Sequence, residues 1–516
     1  MSQITDSSYL FTGADWDFDL IRRVNDACGE IGLGEMGLDI YENQIEVITV
    51  EQMLDAYASI GMPLFYKHWS FGKEFARNEA AYRKGHQGLA YEIVINSNPC
   101  IVYIMEENSA TMQALVIAHA GYGHNHFFKN NYVFKQWTDA DGILDYLEFA
   151  RGFIAKCEDT YGVPAVERVI DAAHALQSHG IHRFPRKRQL DLRSEQKREE
   201  DRRRHGEKLF NDLWRTVPVT EKRKAKRRDE DDARRRALLG LPEENLLYFM
   251  EKTAPRLAPW QREIIRIVRL IAQYFYPQRQ TKVMNEGCAT FTHHRIMTRL
   301  HEKGLIDDGA YLEFLHSHTS VVLQPGFDDR RYSGINPYAL GYAMMTDIER
   351  ICTHPTDEDR DWLPDIAGNG DPYGTLREVW ANYRDESFIS QFLSPACIRQ
   401  FGLFRVVDDE DAEELEVAAI HDERGYRKIR RALSKHYDIA YRDADIQVAD
   451  VDLAGDRRLI LHHRVLDGVL LEEKDAHLVL QHVAELWGYD VRLLELEDGD
   501  DTPLAEYNAT PRRPFT

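Results

Sequence analysis

Apolar residues recur at helical spacing over most of the chain. Side chains three and four positions apart share one face of a helix, so this spacing predicts helices that each bury one face. The predicted helical segments lie within residues 15–60, 109–119, 141–158, 164–178, 244–252, 260–276, 281–303, 311–318, 337–352, 375–383 and 387–392. Most of the chain is therefore predicted to form a large, mainly α-helical body.

Short strands are predicted in two regions. Tyr91–Asn96 and Ile101–Met105 flank Asn98-Pro99 and indicate a small β element. Near the C-terminus, strands and helices alternate in the order β-α-β-β-α-β, at residues 415–420, 423–436, 446–453, 458–463, 474–487 and 489–496. This is the order of a ferredoxin-like fold. The predicted fold class is α+β, with a helical body, a short β element and a C-terminal ferredoxin-like domain.

Composition divides the chain further. Its 516 residues, 43% of them hydrophobic, are enough for a large core and two or three domains. Residues 186–238 are rich in charge and poor in apolar side chains, which is typical of a solvated helix or a mobile connector. They separate two parts of the predicted body, 1–185 and 239–404. The predicted C-terminal domain covers 405–500, and 501–516 is expected to be a tail.

The net charge of −21 is unevenly distributed. Between Arg183 and Arg236 there are 21 Lys and Arg against 12 Asp and Glu, a local charge of +9, so the rest of the chain carries −30. An acidic body disfavours extended binding to nucleic acid, and few aromatic residues in the basic segment could stack on bases. We therefore do not expect a nucleic-acid partner.

The sequence favours a cytoplasmic protein. The six cysteines form no CxxC pair, so a disulfide framework or a cysteine-rich zinc module is not expected. The N-terminal residues have no basic start followed by an apolar run, and no stretch of about 18 apolar residues predicts a membrane span. The glycine-rich nucleotide motifs GxGxxG and GxxxxGK[ST] do not occur, so no nucleotide cofactor is predicted.

The segment Asn285–His294 carries the first candidate chemistry. On a helix, Glu286 and His293 share a face but lie two turns apart, about 10 Å along the axis, and are not expected to bind one ion alone. Glu286 is predicted as a metal ligand and His293 as a catalytic residue, with His294 and Asn285 near the pocket. The alternative is a buried Glu that makes only local hydrogen bonds.

A second cluster begins at His119 and includes His124. Five residues turn an α-helix by about 140°, so these two side chains are predicted to converge only if the helix breaks. Gly121 and Gly123 make such a break plausible, and Tyr122 between them is expected to line the pocket. Imidazole and carboxylate ligands favour a divalent transition metal, most simply zinc. The alternative is that both histidines only make hydrogen bonds within a polar core.

Other residues complete the predicted site. A base for zinc-activated water is expected from Glu107 or its neighbour Glu106, although a solvent-facing acid at a strand end is the simpler interpretation. His318 is predicted to reach the site from another helix, and His68 has aromatic neighbours suited to a pocket wall. Packing alone would explain both histidines.

The segment Asn285-Glu286-Gly287-x-Ala289 resembles the second motif of gluzincin metallopeptidases, in which such a Glu is a zinc ligand. The likeness covers five residues, and the first gluzincin motif is missing. A wider resemblance is to the SpoVR family (stage V sporulation protein R), and specifically to its enterobacterial-type, non-sporulating members. The matching stretches are Met62–Lys73, Tyr91–Asn96, His119–Asn131, Asn245–Met250, Asn285–Phe291, Leu315–Thr319, Tyr332–Tyr338 and Glu386–Leu393.

The resemblance implies a physiological setting more than a reaction. Cys288 and Thr292 stand where family members are expected to have Trp. The family is linked to spore cortex formation, and elsewhere to stress or stationary phase, beside a PrkA-type serine kinase and a von Willebrand factor A-like protein. Two hypotheses follow: a metal-dependent enzyme, most simply a hydrolase, or a non-catalytic regulatory or scaffold protein that acts with the kinase.

Overall fold

The computed structural model describes residues 9–59, 65–83, 92–183, 239–407, 416–419, 421–452, 455–497, 502–513 and 515. The chain forms two compact units, each built from two separate stretches. Unit 1 contains residues 1–156 and 274–442, and unit 2 contains residues 157–273 and 443–516. The predicted charged insert, 186–238, lies outside the described residues.

The described part of the chain is mainly helical, as predicted. The helices are α1 Phe18–Gly29, α2 Val50–Ala58, α3 Trp69–Arg83, α4 Ala110–Val116, α5 Asn125–Asn130, α6 Tyr132–Trp137, α7 Ile143–Tyr161, α8 Val163–Ala175, α9 Leu246–Thr253, α10 Pro259–Gln280, α11 Lys282–Glu302, α12 Asp308–Val321, α13 Pro337–Thr353, α14 Asp357–Trp362, α15 Pro372–Asn382, α16 Asp385–Phe392, α17 Pro395–Gln400, α18 Glu423–Tyr437, α19 Ile439–Arg442 and α20 Glu473–Trp487. Two segments are π-helices, π1 Glu30–Glu35 and π2 Ile117–His124, and Gln177–His179 is a 3-10 turn.

A three-stranded sheet lies in unit 1. Strands β2 (Glu92–Ile95) and β3 (Cys100–Met105) form the predicted hairpin, and β1 (Asn43–Ile48) pairs with β3 in parallel. The turn after β3 leads to Ser109, whose side chain accepts a hydrogen bond from Met112 N and caps α4. Strand β3 is therefore followed directly along the chain by α4 and then by π2.

Helix α11 lies at the centre of unit 1 and packs against both π2 and α13. A Cβ atom at Gly123 would lie 2.4 Å from Ala289 Cα, and one at Gly287 would lie 2.6 Å from Gly341 Cα. No side chain larger than hydrogen fits at these crossings, so the glycines set how closely the helices approach. This close packing holds the stretch from Glu286 to Ala289 in a fixed position between two helices.

Unit 2 contains a four-stranded sheet in the order β6–β7–β8–β9, at Asp445–Val451, Leu459–Val465, Val491–Glu497 and Pro503–Ala509. Strands β6 and β7 are antiparallel, β7 and β8 are parallel, and β8 and β9 are antiparallel. The connection from β7 to β8 runs through α20, as parallel neighbours require. The chain order of this sheet domain is therefore β-β-α-β-β.

The ferredoxin-like topology is not confirmed. The predicted first strand is β5 (Glu416–Ala419), which pairs with β4 (Arg405–Val407) in a separate two-stranded sheet. Residues 405–442, predicted as part of the C-terminal domain, belong to unit 1. The predicted tail supplies the fourth strand instead, because β9 satisfies the free edge of β8.

All six cysteines are buried, and none of them forms a disulfide. Within the described residues, no helix combines the length and the apolar character that crossing a membrane requires.

Candidate metal centre

The side chains of His119 and His124 converge on one face of π2. Their ring centroids lie 4.7 Å apart, and the rings are perpendicular. The predicted helix break does not occur; instead, the helix widens to hydrogen bonds of the i to i+5 type. Residues five apart then share a face, so the wider helix brings together two imidazoles that an α-helix would separate by about 140°.

Polar contacts hold π2 from the side opposite α11. Tyr122 donates a hydrogen bond of 2.6 Å to the backbone oxygen of Asn25, so it anchors the helix. At Gly121, a Cβ would lie 2.8 Å from Asn43 Nδ2, and that amide also lies 3.4 Å from Asn25 Oδ1. Gly121 and Gly123 thus allow close packing of π2 against different neighbours, and Tyr122, which was predicted to line a pocket, anchors the helix.

His124 is oriented by the first residue of the Asn285-Glu286 pair. Its Nδ1 lies 2.9 Å from Asn285 Oδ1. An amide oxygen can only accept, so His124 Nδ1 carries the proton and Nε2 presents a lone pair. That Nε2 lies 3.6 Å from Glu286 Oε2, which is buried and has no hydrogen-bond partner. His124 Nε2 therefore has a lone pair available for a cation, and Glu286 lies beside it.

His119 is arranged in the same way. Its Nδ1 lies 2.8 Å from His293 Nδ1, and its Nε2 lies 3.7 Å from Glu92 Oε1. One ring nitrogen is therefore held by a neighbouring helix, while the other faces a carboxylate. Both histidines of π2 thus turn Nε2 toward an acid and Nδ1 toward a side chain of α11.

Three of these residues form a compact donor set. One donor atom from each of Glu92, His119 and His124 lies within 4.8 Å of the other two. Glu286 lies beside His124 and outside this set. The side chains of Glu92 and Glu286 are 18% and 17% exposed, while those of the two histidines are 6% and 10% exposed. The two carboxylates are therefore more exposed than the two imidazoles.

Glu92 is the residue that the sequence analysis missed. It is the first residue of β2 and lies opposite Ile104 in the hairpin register. A single acid at the start of a strand has no informative spacing, and only the pairing of β2 with β3 brings it to π2. Its place in Tyr91–Asn96, one of the stretches that carry the family resemblance, was the one available signal.

Burial and the neighbouring Glu286 both disfavour ionisation of Glu92. Burial, and then the charge of Glu286, raise the pKa of Glu92 to about 8. Burial, followed by the neighbouring His124, holds the pKa of His119 well below its ordinary value, although a hydrogen bond to the backbone of Ala289 acts in the opposite direction. His119 is thus neutral at physiological pH, which is the state in which imidazole binds a metal.

A chain of imidazoles extends from His119. His293 Nε2 lies 2.9 Å from His318 Nδ1, so His293 bridges π2 and α12. Burial, and then the neighbouring His119 and His318, keep the pKa of His293 well below its usual range, and burial lowers that of His318 to about 4. His294 packs its ring 4.7 Å from that of His318, and its buried Nδ1 has no hydrogen-bond partner. The three α11 and α12 histidines therefore surround the centre as neutral groups.

The remaining predicted residues are Glu106, Glu107 and His68. Glu106 and Glu107 are exposed in the turn that follows β3, so the acids that reach the buried histidines are Glu92 and Glu286 instead. His68 is buried just before α3, where its Nδ1 lies 2.7 Å from Ser70 Oγ.

Asp385 fixes the end of α11 that carries Asn285 and Glu286. Val283 N and Met284 N donate to its two carboxylate oxygens, each at 2.9 Å. The Asp385 side chain is buried, and burial raises its pKa to about 7 even though these N–H groups favour the charged form. A residue about a hundred positions downstream thus caps this helix.

Comparisons with known proteins identify the family of the chain. The family model described as SpoVR like protein matches residues 15–442, and the model described as SpoVR-like C-terminal domain matches residues 444–498. A protein of Escherichia coli (strain K12), named Uncharacterized protein YcgB, is 51% identical over 508 residues, which cover 97% of this chain and 96% of that protein. No solved structure matches the chain.

Proposed function

The chain belongs to the SpoVR family, and for this member we propose a metal-dependent enzyme in which Glu92, His119 and His124 hold one divalent transition-metal ion. The supporting observation is that both imidazoles turn Nε2 toward carboxylates while their Nδ1 atoms are held by α11. Two histidines and one glutamate are a donor set that catalytic zinc sites use, with a fourth position left for water or substrate. Zinc is therefore the metal of choice.

We expect the donor set to be more stable with a bound cation than without one. Glu92 and Glu286 are both partly buried acids, and Glu286 Oε2 is buried without a hydrogen-bond partner. A buried acceptor without a partner costs free energy, and the charge of Glu286 disfavours ionisation of Glu92. A divalent ion between Glu92 and the histidines would offset both effects.

We assign the chemistry to hydrolysis. When bound, a divalent metal at such a site lowers the pKa of a coordinated water molecule. Glu286 Oε2 lies 3.6 Å from His124 Nε2, outside the compact donor set but beside it. In this position Glu286 acts as the general base that takes the proton from water, so it replaces Glu107 in that role and is no longer assigned as a ligand.

Metal content tests the donor set. Wild-type protein loaded with zinc and then dialysed is expected to retain about one equivalent, measured by elemental analysis. Glu92→Gln and His124→Ala are expected to lose it, while Glu286→Gln retains it. Circular dichroism would verify that each variant is folded. A folded wild type that retains no zinc, copper, manganese or iron would overturn the proposal.

Activity tests the role of Glu286. Zinc-loaded wild type is expected to hydrolyse an activated ester such as p-nitrophenyl acetate faster than the zinc-free protein does. Glu286→Gln should lower this rate by roughly 10²–10⁴-fold at unchanged zinc content, as the loss of a general base does. A variant with full activity would show that Glu286 is not the base.

The family name refers to sporulation, and the Escherichia coli relative comes from a bacterium that does not form spores. We propose that the hydrolytic activity serves a process shared by both kinds of bacteria, such as turnover of an envelope or stress-related substrate.

A further inference from the structure

Helix α18 has one strongly charged face. Its buried side chains, Tyr426, Ile429 and Leu433, pack into the core of unit 1. At about 100° per residue, these positions lie within one sector of the helix, and the opposite sector faces solvent. The sequence of α18 therefore separates an apolar face from a face that can meet a partner.

Four exposed cations line that outer face: Arg424, Arg427, Lys428 and Arg431. They fall within a sector of about 100° and span about 10 Å along the helix axis, and together they are called the basic stripe. Arg427 lies 3.2 Å from Glu423, whereas the other three have no acidic partner among the described residues. In a chain with a net charge of −21, cations left unpaired on one face favour an external anionic partner.

An exposed aromatic patch lies in the same unit. Phe327, Tyr332 and Phe404 are 59%, 36% and 40% exposed, and Phe327 contacts both other rings at centroid distances of 5.4 and 5.3 Å. Leu323, 51% exposed, precedes this loop. Large apolar side chains that cluster at the surface commonly mark an interaction site.

The patch lies beside α18. His421 Nε2, two residues before that helix, donates to the backbone oxygen of Leu403, the neighbour of Phe404. At the other end of α18, Tyr332 is close enough to Tyr437 to contribute, after burial and Asp385, to raising the pKa of Tyr437 to about 12. The aromatic patch therefore lies next to both ends of the helix that carries the basic stripe.

We propose that the basic stripe and the aromatic patch together bind an acidic protein segment that also carries apolar side chains. The stripe supplies positive charge for carboxylates, and the patch supplies an apolar surface that anchors hydrophobic residues. Because the stripe is only about 10 Å long, it matches about three residues of an extended peptide. A long nucleic acid or an anionic membrane would meet the stripe and then the acidic remainder of the protein.

A binding experiment with the full-length protein tests this surface. The probe is a fluorescein-labelled peptide built from the repeat Glu-Asp-Leu-Glu-Glu-Phe, followed by fluorescence anisotropy at low ionic strength. The variant Arg424→Glu/Lys428→Glu/Arg431→Glu is expected to bind at least about tenfold more weakly. The matched control, Lys73→Glu/Lys135→Glu/Arg151→Glu, changes the net charge equally at exposed positions and should stay within about twofold of wild type.

A second variant tests the apolar half of the surface. Phe327→Ser/Phe404→Ser should weaken peptide binding by about fivefold and leave its salt dependence unchanged, because no charge is altered. Absence of saturable peptide binding to wild type would overturn the proposal, as would equal weakening by the control variant. Stronger, stripe-dependent binding of single-stranded DNA or of phosphatidylserine vesicles would assign the surface to those partners instead. None of these outcomes depends on whether the protein holds zinc.

Discussion

The Nδ1 atoms of His119 and His293 lie 2.8 Å apart in a buried contact between π2 and α11. Two ring nitrogens at this distance share one proton, so each imidazole fixes the tautomer and the orientation of the other. Because His293 also contacts His318, the orientation of His119 is supported by two helices beyond its own. His293 is thus a positioning residue for the proposed ligand His119.

Replacing His293 should weaken zinc binding without removing a ligand. We expect His293→Ala to lower zinc affinity by about 10–100-fold, as the loss of a residue that orients a metal-bound histidine does. Competition with a chromophoric chelator measures the affinity. His301→Ala, on the same helix but beside the exposed Asp308, is the control and should leave the affinity unchanged. Equal affinities of wild type and His293→Ala would contradict the positioning role.

Zinc affinity should depend on pH through Glu92. Its pKa of about 8 means that the carboxyl is protonated at neutral pH, so metal binding has to release this proton. Affinity is therefore expected to rise with pH between about 6 and 8, by up to about tenfold per pH unit, and to level off above 8. The pKa of His119 is lowered, so this histidine is neutral throughout this range and does not contribute to the pH dependence of zinc affinity.

Calorimetry in two buffers with different ionisation enthalpies would count the released protons. Release of up to about one proton per zinc near pH 7 is expected, and it should vanish above pH 9. An affinity that falls as pH rises from 6 to 8 would show that Glu92 does not titrate as described.

The contact between α11 and α13 should not tolerate a methyl group. A Cβ at Gly341 would lie 2.2 Å from the backbone oxygen of Val283 and 2.7 Å from Gly287 Cα, so Gly341→Ala forces the helices apart. We expect the free energy of unfolding to fall by at least about 2 kcal/mol, seen as a lower thermal midpoint.

Gly152→Ala is the control, because Gly152 is exposed in α7 and no atom lies within 4 Å of the added Cβ. That change should stabilise the protein by about 0.5–1 kcal/mol. Destabilisation by both variants alike would indicate a general cost of substitution.

Removing the cap of α11 should affect both stability and the site. Asp385→Ala leaves Val283 N and Met284 N without acceptors, which we expect to cost about 2–4 kcal/mol in unfolding free energy. Asp385→Asn keeps one acceptor oxygen and should lie between this variant and wild type. Chemical denaturation monitored by fluorescence measures the unfolding free energies of wild type and the two variants and so ranks them. An Asp385→Ala variant at least as stable as wild type would mean that the buried charge costs as much as the cap contributes.

The sequence identified most of the histidines at the centre but not the geometry that unites them. His119, His124 and His293 stood out because several imidazoles occur close together in the chain. The π-helix was not predictable from α-helical periodicity, which places residues five apart on different faces. Glu92 was missed because a strand pairing, not a local motif, brings it to His119.

The C-terminal region illustrates the same limit. The helices and strands themselves were placed within a few residues, because their apolar spacing is regular. Which strands pair is decided by contacts between distant segments, and β5 pairs with β4 rather than with the four-stranded sheet. Strand β9, with Pro503 at its start and Glu506 and Asn508 on its exposed face, has too few apolar residues to be recognised from its own sequence.

The cap of α11 by Asp385 has a consequence for how the protein is made. The ribosome adds about ninety residues between His293 and Asp385, which takes roughly 5–20 s at ordinary rates of bacterial translation. During that interval the newly emerged α11 has no cap, and until α13 has been made it also lacks the surface that covers Gly287. Nascent chains at this stage expose an apolar helix face and are therefore expected to be clients of chaperones. Assembly of the centre waits for the arrival of α16, long after the last of its own ligands has left the exit tunnel.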